Sequence, residues 1–211
     1  MKIELEANFS PSKIVCVGRN YAEHAAELGN EVPTEPLLFL KAPSALIRHG
    51  ENIVIPPQSQ QVEHEGELAV IIGRGCKNLT KADDPFEFVR GYTCLNDVTA
   101  RDLQRKDGQF ARAKSFDTFC PIGPHIETDL DTSDLRVIAR VNGEVRQDGR
   151  TSQMVFPVDF LIRYISNMMT LLPGDVIATG TPSGVSKMQS GDVCEIEIEG
   201  IGVLTNKVVN G

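Results

Sequence analysis

The segment Glu63-His64-Glu65-Gly66-Glu67-Leu68-Ala69-Val70-Ile71-Ile72-Gly73 constrains the fold more than any other in the chain. Its apolar half reads as a buried strand. Glu65 and Glu67 stand two residues apart at the mouth of that strand. A strand has a side-chain period of two, so both carboxylates point to one face. Ionised carboxylates are rarely left unpaired in such a place. A cation, an arginine or a metal keeps them. Two oxygen ligands on one face suit a hard divalent ion, Mg²⁺ first and Mn²⁺ or Ca²⁺ next. The plainer alternatives are a solvated strand face or a pair of salt bridges.

The 211 residues suffice for one sizeable core, and a single domain over 1–211 is expected. The formal net charge is -8 and the basic residues are scattered. That balance argues against nucleic acid or an anionic membrane as a partner. No apolar stretch approaches the roughly 20 residues of a membrane span. The start, Met1-Lys2-Ile3-Glu4-Leu5-Glu6, lacks the apolar centre of a signal peptide, so a cytoplasmic protein is expected. Cys16, Cys76, Cys94, Cys120 and Cys194 are odd in number and contain no C-x-x-C pair. Reduced, largely buried thiols follow.

Strand signals dominate, at 14–17, 37–40, 52–55, 67–72, 92–95, 137–141, 176–178, 193–198 and 203–208. Asn142-Gly143 between two such runs predicts a type I′ hairpin. A second turn is expected at 199–202. Helices are few. One is predicted over 20–28, with Asn20 as N-cap and Gly29 as stop. A short one is predicted over 99–106. The longest spans 157–169, with Pro157 in its first turn and an apolar stripe of Val158, Leu161, Ile162, Ile165 and Met168/Met169. The fold class is α+β and β-rich. Without regular βαβ alternation, a doubly wound sheet or a TIM barrel is not expected.

Asp97 follows a strand-like run where a helix begins. Read alone, it is an N-cap or turn residue. With Glu65 and Glu67 it makes a three-carboxylate Mg²⁺ arrangement that leaves positions open for water and a chelating 2-oxo acid. His24 and Glu27 share a helix face at i and i+3. They read as a general base with its orienting carboxylate, or as an ordinary surface pair. Lys114 is either a loop lysine or an oxyanion support. The turn Thr179-Gly180-Thr181-Pro182-Ser183-Gly184 is an anion nest or a plain turn, and no P-loop lysine follows it. His49, His64 and His125 have no metal-like spacing, and His64 should point away from Glu65 and Glu67.

Six motifs in order resemble the fumarylacetoacetate hydrolase family. They are Gly18-Arg19-Asn20-Tyr21 with His24 and Glu27, Phe39-Leu40-Lys41, His64-Glu65-x-Glu67-Leu68, Asn96-Asp97-Val98-Thr99-Ala100-Arg101-Asp102-x-Gln104, Ala113-Lys114-Ser115-Phe116-Asp117, and Gly174-Asp175 continuing through Thr179-Gly180-Thr181-Pro182. The resemblance covers nearly the whole chain, and the length is similar to that of the short members such as acylpyruvases and fumarylpyruvate hydrolases. It implies a mixed β-sandwich roll and a homodimer. It puts Glu65, Glu67 and Asp97 on the metal-ligand positions, and His24 and Glu27 on the water-activating dyad of a lid. Lys114 falls on the oxyanion lysine, and Gln104, Thr181 and Arg19 on substrate contacts. One departure is local: Lys41-Ala42-Pro43 stands where many relatives have Lys-Pro.

The activity so implied is Mg²⁺-dependent hydrolysis of a C–C bond in acylpyruvate-type β-diketo acids, giving pyruvate and a carboxylic acid. Enolate chemistry without water attack is the rival. It covers oxaloacetate decarboxylation or tautomerisation and 2-hydroxyhepta-2,4-diene-1,7-dioate-type isomerisation. A sugar-acid dehydratase is a third option. A metal-stabilised binding module would have no use for His24, Glu27 and Lys114.

Overall fold

The computed structural model describes residues 1–6 and 8–211. Among them the chain runs β1 (Lys2–Glu4), β2 (Ile14–Gly18), α1 (Ala22–Glu27), β3 (Leu37–Lys41), β4 (Leu46–Arg48), β5 (Ile53–Ile55), β6 (Val62–Glu63), β7 (Gly66–Ile72), β8 (Val89–Asn96), β9 (Thr99–Ala100), α2 (Arg101–Asp107), α3 (Ala111–Lys114), β10 (Cys120–Glu127), β11 (Arg136–Val141), β12 (Glu144–Arg150), α4 (Val158–Met168), β13 (Val176–Ala178), β14 (Val193–Ile198) and β15 (Gly202–Asn210). This is the β-rich α+β architecture that the strand signals imply.

The larger sheet has the order β1-β10-β8-β7-β13-β2-β3, with β4 paired parallel to β10. Strand β7 is apolar throughout because it is central: β8 and β13 flank it antiparallel, and all seven of its residues are buried. The second sheet has the order β12-β11-β14-β15-β5. Its strands β11, β14 and β15 lie against β7, β8 and β10, and the apolar side chains between the sheets form the core. Alternation along β14, with Cys194, Ile196 and Ile198 buried, is the signature of one face packed and one face wet. The two-residue ladder of β6 with β9 pairs Val62 with Ala100 and Glu63 with Thr99. It draws the entry of β7 beside the start of α2.

The hairpin forms as predicted. Asn142 and Gly143 both take positive φ, 53° and 78°, and join β11 to β12. The helix over 20–28 is shorter than predicted. It runs Ala22–Glu27, Tyr21 occupies the N-cap position, and Gly29 follows at φ 68°. Asn20 is no cap. Its amide donates to Thr179 O (2.7 Å) and Phe156 O (3.0 Å) and accepts from Phe156 N (2.8 Å), so it ties the segment before α1 to two distant loops. Thr99 belongs to β9, and α2 starts at Arg101. Of the stripe, Val158, Leu161, Ile162 and Ile165 are buried in α4, Met168 is exposed, and Met169, just past the helix, is half-buried. Strand β10 has no counterpart among the predicted runs. Its Pro121 and Pro124 read as breakers, yet Pro124 falls in the register shift against β8, where a missing N–H is tolerated, and Pro121 stands opposite Ile47 of β4.

Candidate active site

The carboxylates meet because two antiparallel strands end together. Gly66 pairs with Asn96 and Glu67 with Leu95, so Glu65 just before β7 lies beside Asp97 just after β8. Asp97 N donates to Glu65 O (2.8 Å), and Glu65 N donates to the Asn96 side-chain oxygen (3.0 Å). One carboxylate oxygen each from Glu65, Glu67 and Asp97 lies within 4.8 Å of the others, and all three residues are buried. Asp97 is not a helix cap, since Ala100 occupies that position for α2.

Three cations share this buried acidity. Lys114 Nζ donates to Glu65 Oε2 (2.8 Å) and Asp97 Oδ2 (2.6 Å). Lys41 Nζ donates to Asp97 Oδ1 (2.5 Å) and Val98 O (3.2 Å). Arg101 donates to Glu63 Oε2 (2.7 Å), to Glu65 and to the Gln104 side-chain oxygen (2.6 Å). Burial by itself would raise the pKa of Glu65, but Lys114 and Arg101 outweigh it and hold that carboxyl well below the usual range. Glu67 differs. Among the described residues its one hydrogen bond comes from Gly180 N (2.8 Å), and no cation is bonded to it. Burial, then Asp97 and Glu65, push its pKa far up.

Four acids (Glu63, Glu65, Glu67, Asp97) against three cations (Lys41, Lys114, Arg101) leave a formal charge of −4 + 3 = −1. The donor set is all oxygen, one carboxylate lacks a counter-charge, and the residual charge is negative. These residues fit a hard divalent ion held by Glu65, Glu67 and Asp97. Salt bridges and a metal, alternatives in the sequence, are compatible here.

His24 is buried on α1, with Nδ1 3.3 Å from Glu27 Oε2. Glu27 in turn accepts from Gly184 N (3.0 Å). His24, Glu65, Glu67, Asp97, Lys114 and Thr181 line one cavity of about 330 Å³. Arg19, Gln104 and Arg105 line it as well. Arg19 is half-buried and takes a left-handed φ of 57°. The turn 179–184 spends its amides on the chain's own acids: Gly180 N on Glu67 and Gly184 N on Glu27. Those two amides are therefore not available to an outside anion. His64 faces the other way, against Gln147 and Ser186. All five cysteines are free and buried. Burial pushes the Cys94, Cys120 and Cys194 thiols up to about 12, which makes them poor nucleophiles.

Sequence reasoning assigned no role to Lys41, Arg101, Glu63 or Gln147. A signal existed for Lys41, a lone charge closing the apolar run Leu37-Leu38-Phe39-Leu40. For Arg101 the signal was weaker, a cation four residues after Asp97. Gln147 carries none, because its partners come from other parts of the chain.

The two-sheet roll, with an acid-rich site at one end of its central strands, is that of a known enzyme class. Residues 13–209 match the model of the fumarylacetoacetate (FAA) hydrolase C-terminal family, and the chain belongs to that family. The solved structure of 5-carboxymethyl-2-hydroxymuconate delta-isomerase from Mycobacterium smegmatis superposes with a TM-score of 0.91 at 51% identity, covering 99% of this chain and 82% of that one. Fumarylpyruvate hydrolase from Pseudomonas aeruginosa, solved in complex with Mn²⁺ and pyruvate, gives 0.90 at 31% identity, covering 100% and 96%. Mitochondrial oxaloacetate tautomerase FAHD2A of Bos taurus is 46% identical over 211 residues, covering 94% of this chain and 67% of its own length. Among the described residues no helix is long and apolar enough to cross a membrane.

Proposed function

We propose that this chain is a divalent-metal-dependent enzyme that hydrolyses a C–C bond in an acylpyruvate-type β-diketo acid. The observation that carries this reading is the oriented base. His24, bonded to Glu27, faces the same cavity as the buried carboxylates and Lys114. Glu65, Glu67 and Asp97 would hold a hard divalent ion, which would supply Lewis-acid charge to the substrate's oxygens.

Glu27 holds the proton on Nδ1, which leaves Nε2 of His24 as the basic nitrogen. Nε2 takes a proton from water, and the hydroxide adds to the distal carbonyl carbon. Lys114 stabilises that oxygen as it becomes negative. The C–C bond then breaks, the acyl group leaves as a carboxylic acid, and pyruvate departs as its enolate. The His24 imidazolium returns a proton to the enolate carbon. Thr181, Gln104 and Arg19 bind and orient the substrate. The Mn²⁺ and pyruvate of the Pseudomonas complex support both the ion and the product.

A second reading is supported by the isomerase at 51% and the tautomerase at 46% identity, although a fumarylacetoacetate hydrolase from Exiguobacterium antarcticum, at 45%, is as near as the tautomerase. In that case His24 moves a proton on the enolate of oxaloacetate or of a hydroxydienoate, with no water added. Product analysis by NMR separates the two readings. Acetylpyruvate, fumarylpyruvate and oxaloacetate are offered in parallel with Mg²⁺ or Mn²⁺. Pyruvate plus a free acyl acid, abolished by EDTA without unfolding, is the expected result. Enol–keto exchange of oxaloacetate or CO₂ release, with both diketo acids untouched, overturns hydrolysis.

A further inference from the structure

Helix α2 turns one face to the cavity. Arg101, Gln104, Arg105 and its capping Gly108 all line it, at the i, i+3, i+4 and i+7 spacing of a single helix face. The face runs from inside to outside: Arg101 is 3% exposed, Gln104 is half-buried and Arg105 is exposed. Arg101 is spent on Glu63 and Glu65. Arg105 is not spent in that way. Among the described residues its one hydrogen bond goes to the Gln61 side-chain oxygen (2.6 Å), and no carboxylate is paired with it. Arg19 lines the same cavity and has no ion pair among the described residues either.

Arg105 is nevertheless held in place. Gln61 Nε2 donates to Glu63 Oε1 (2.5 Å). A carboxylate can only accept and a guanidinium can only donate, so the Gln61 amide has one orientation, with its oxygen toward Arg105. Glu63 also accepts from Arg101 Nε (2.7 Å). A chain of contacts thus runs from Glu65 through Arg101, Glu63 and Gln61 to Arg105. Gln61 takes one N–H of the guanidinium, and the others remain for an incoming carboxylate. The buried end of the site does not need them. A divalent ion would turn its formal charge of −1 into +1, which one substrate carboxylate balances. A net charge of -8 repels a doubly negative substrate, and unpaired arginines on the cavity wall reverse that sign locally.

The geometry points to a 2-oxo acid with a second carboxylate as the substrate. Arg105 is the residue that recognises this distal carboxylate, Gln61 positions Arg105, and Arg19 adds a second positive charge. The inference rests on the 2-oxo acid reading above. It holds for water attack and for enolate chemistry alike, since neither alters the far end of the substrate.

The test is calorimetric binding of matched probes to the Mn²⁺-loaded protein. The diacids are 2-oxoglutarate, 2-oxoadipate and 2-oxopimelate. Their partners are 2-oxopentanoate, 2-oxohexanoate and 2-oxoheptanoate, which carry a methyl group in place of the second carboxylate. None has the β-carbonyl that C–C hydrolysis needs. At least one diacid should bind roughly 3–10-fold tighter than its monoacid partner, the range for a half-exposed carboxylate–arginine pair. That preference should shrink as salt is raised from about 0.05 to 0.5 M. Arg105→Met should abolish it and leave monoacid affinity unchanged, and Arg105→Glu should reverse it. Gln61→Met should lose part of the preference and add nothing in the Arg105→Met background. Arg105 is exposed, so its replacement leaves the core intact. The proposal is overturned if no diacid is preferred, if the preference survives Arg105→Met, or if Arg105→Met weakens diacid and monoacid alike. A preference lost with Arg19→Met but kept with Arg105→Met also overturns the role of Arg105, and a full preference in Gln61→Met overturns that of Gln61. If the wild type takes up Mn²⁺ but binds no probe of either kind, the 2-oxo acid reading itself fails, and this proposal with it.

Discussion

Replacing Glu67 by glutamine should have opposite effects in two buffers. Without a divalent ion it should stabilise the protein, and with one it should remove the stabilisation that the ion brings. Glu67 is 2% exposed, and among the described residues its carboxylate has one hydrogen bond, from Gly180 N, and two acidic neighbours. Burial, Asp97 and Glu65 raise its pKa well above 4.5, so the folded chain keeps a proton that the unfolded chain releases above that pH. Stability therefore falls as pH rises from about 4.5 toward the folded value, by at most about 1.4 kcal/mol per pH unit. Glutamine keeps an oxygen for Gly180 N and has nothing to ionise, so its advantage in EDTA should grow with pH. An ion at 100 times its Kd adds about 2.7 kcal/mol to the wild type. For a chain of this size that is roughly 5–11 °C in melting temperature. Scanning calorimetry of both proteins at pH 5.5 and 7.5, in EDTA and in Mn²⁺, checks both signs. The reasoning is refuted if the variant melts well below the wild type in EDTA, or if Mn²⁺ raises both by the same amount.

Three further outcomes are expected. Arg101→Met leaves Glu63 and Glu65 buried without their guanidinium; breaking such a pair costs about 3–5 kcal/mol, a fall of roughly 6–20 °C, and a fall under about 2 °C by calorimetry contradicts the charge balance drawn here. His24→Ala should lower turnover about 10²–10⁴-fold with the fold intact by circular dichroism, and wild-type turnover removes His24 as the base. Asp175 is fully buried and accepts from Ser12 Oγ (2.6 Å), Lys13 N (3.1 Å) and Leu172 N (2.7 Å). Burial opposes its ionisation, but Lys13 and Ser12 outweigh that and hold its pKa below 3.8. Its contribution is thus present above about pH 4 and lost as pH falls through the folded value. Asp175→Asn should lower stability at pH 7 by about 1–3 kcal/mol and flatten the acid limb of a pH–melting curve.

What could be read locally was read. Glu65 and Glu67 share a face because the strand period is two, and Asn142-Gly143 turns because both residues tolerate positive φ. Asp97 needed more. Its meeting with Glu65 depends on the antiparallel register of β7 with β8, which no pattern within either strand specifies. The compensating charges were further out of reach. Lys41 lies 56 residues from Asp97, Lys114 49 from Glu65, and Gln147 81 from Gly66. A local pattern can report that a buried carboxylate needs a counter-charge, but not which cation the fold delivers. The same limit hid β10, whose prolines read as breakers in the sequence and are accommodated by its neighbours: Pro124 lies in the register shift against β8, and Pro121 stands opposite Ile47 of β4. It also made salt bridges and a metal look like competing explanations of Glu65 and Glu67. Once the tertiary partners are counted, three cations answer three of four buried acids, and the acid left over, Glu67, is the one that an ion would complete.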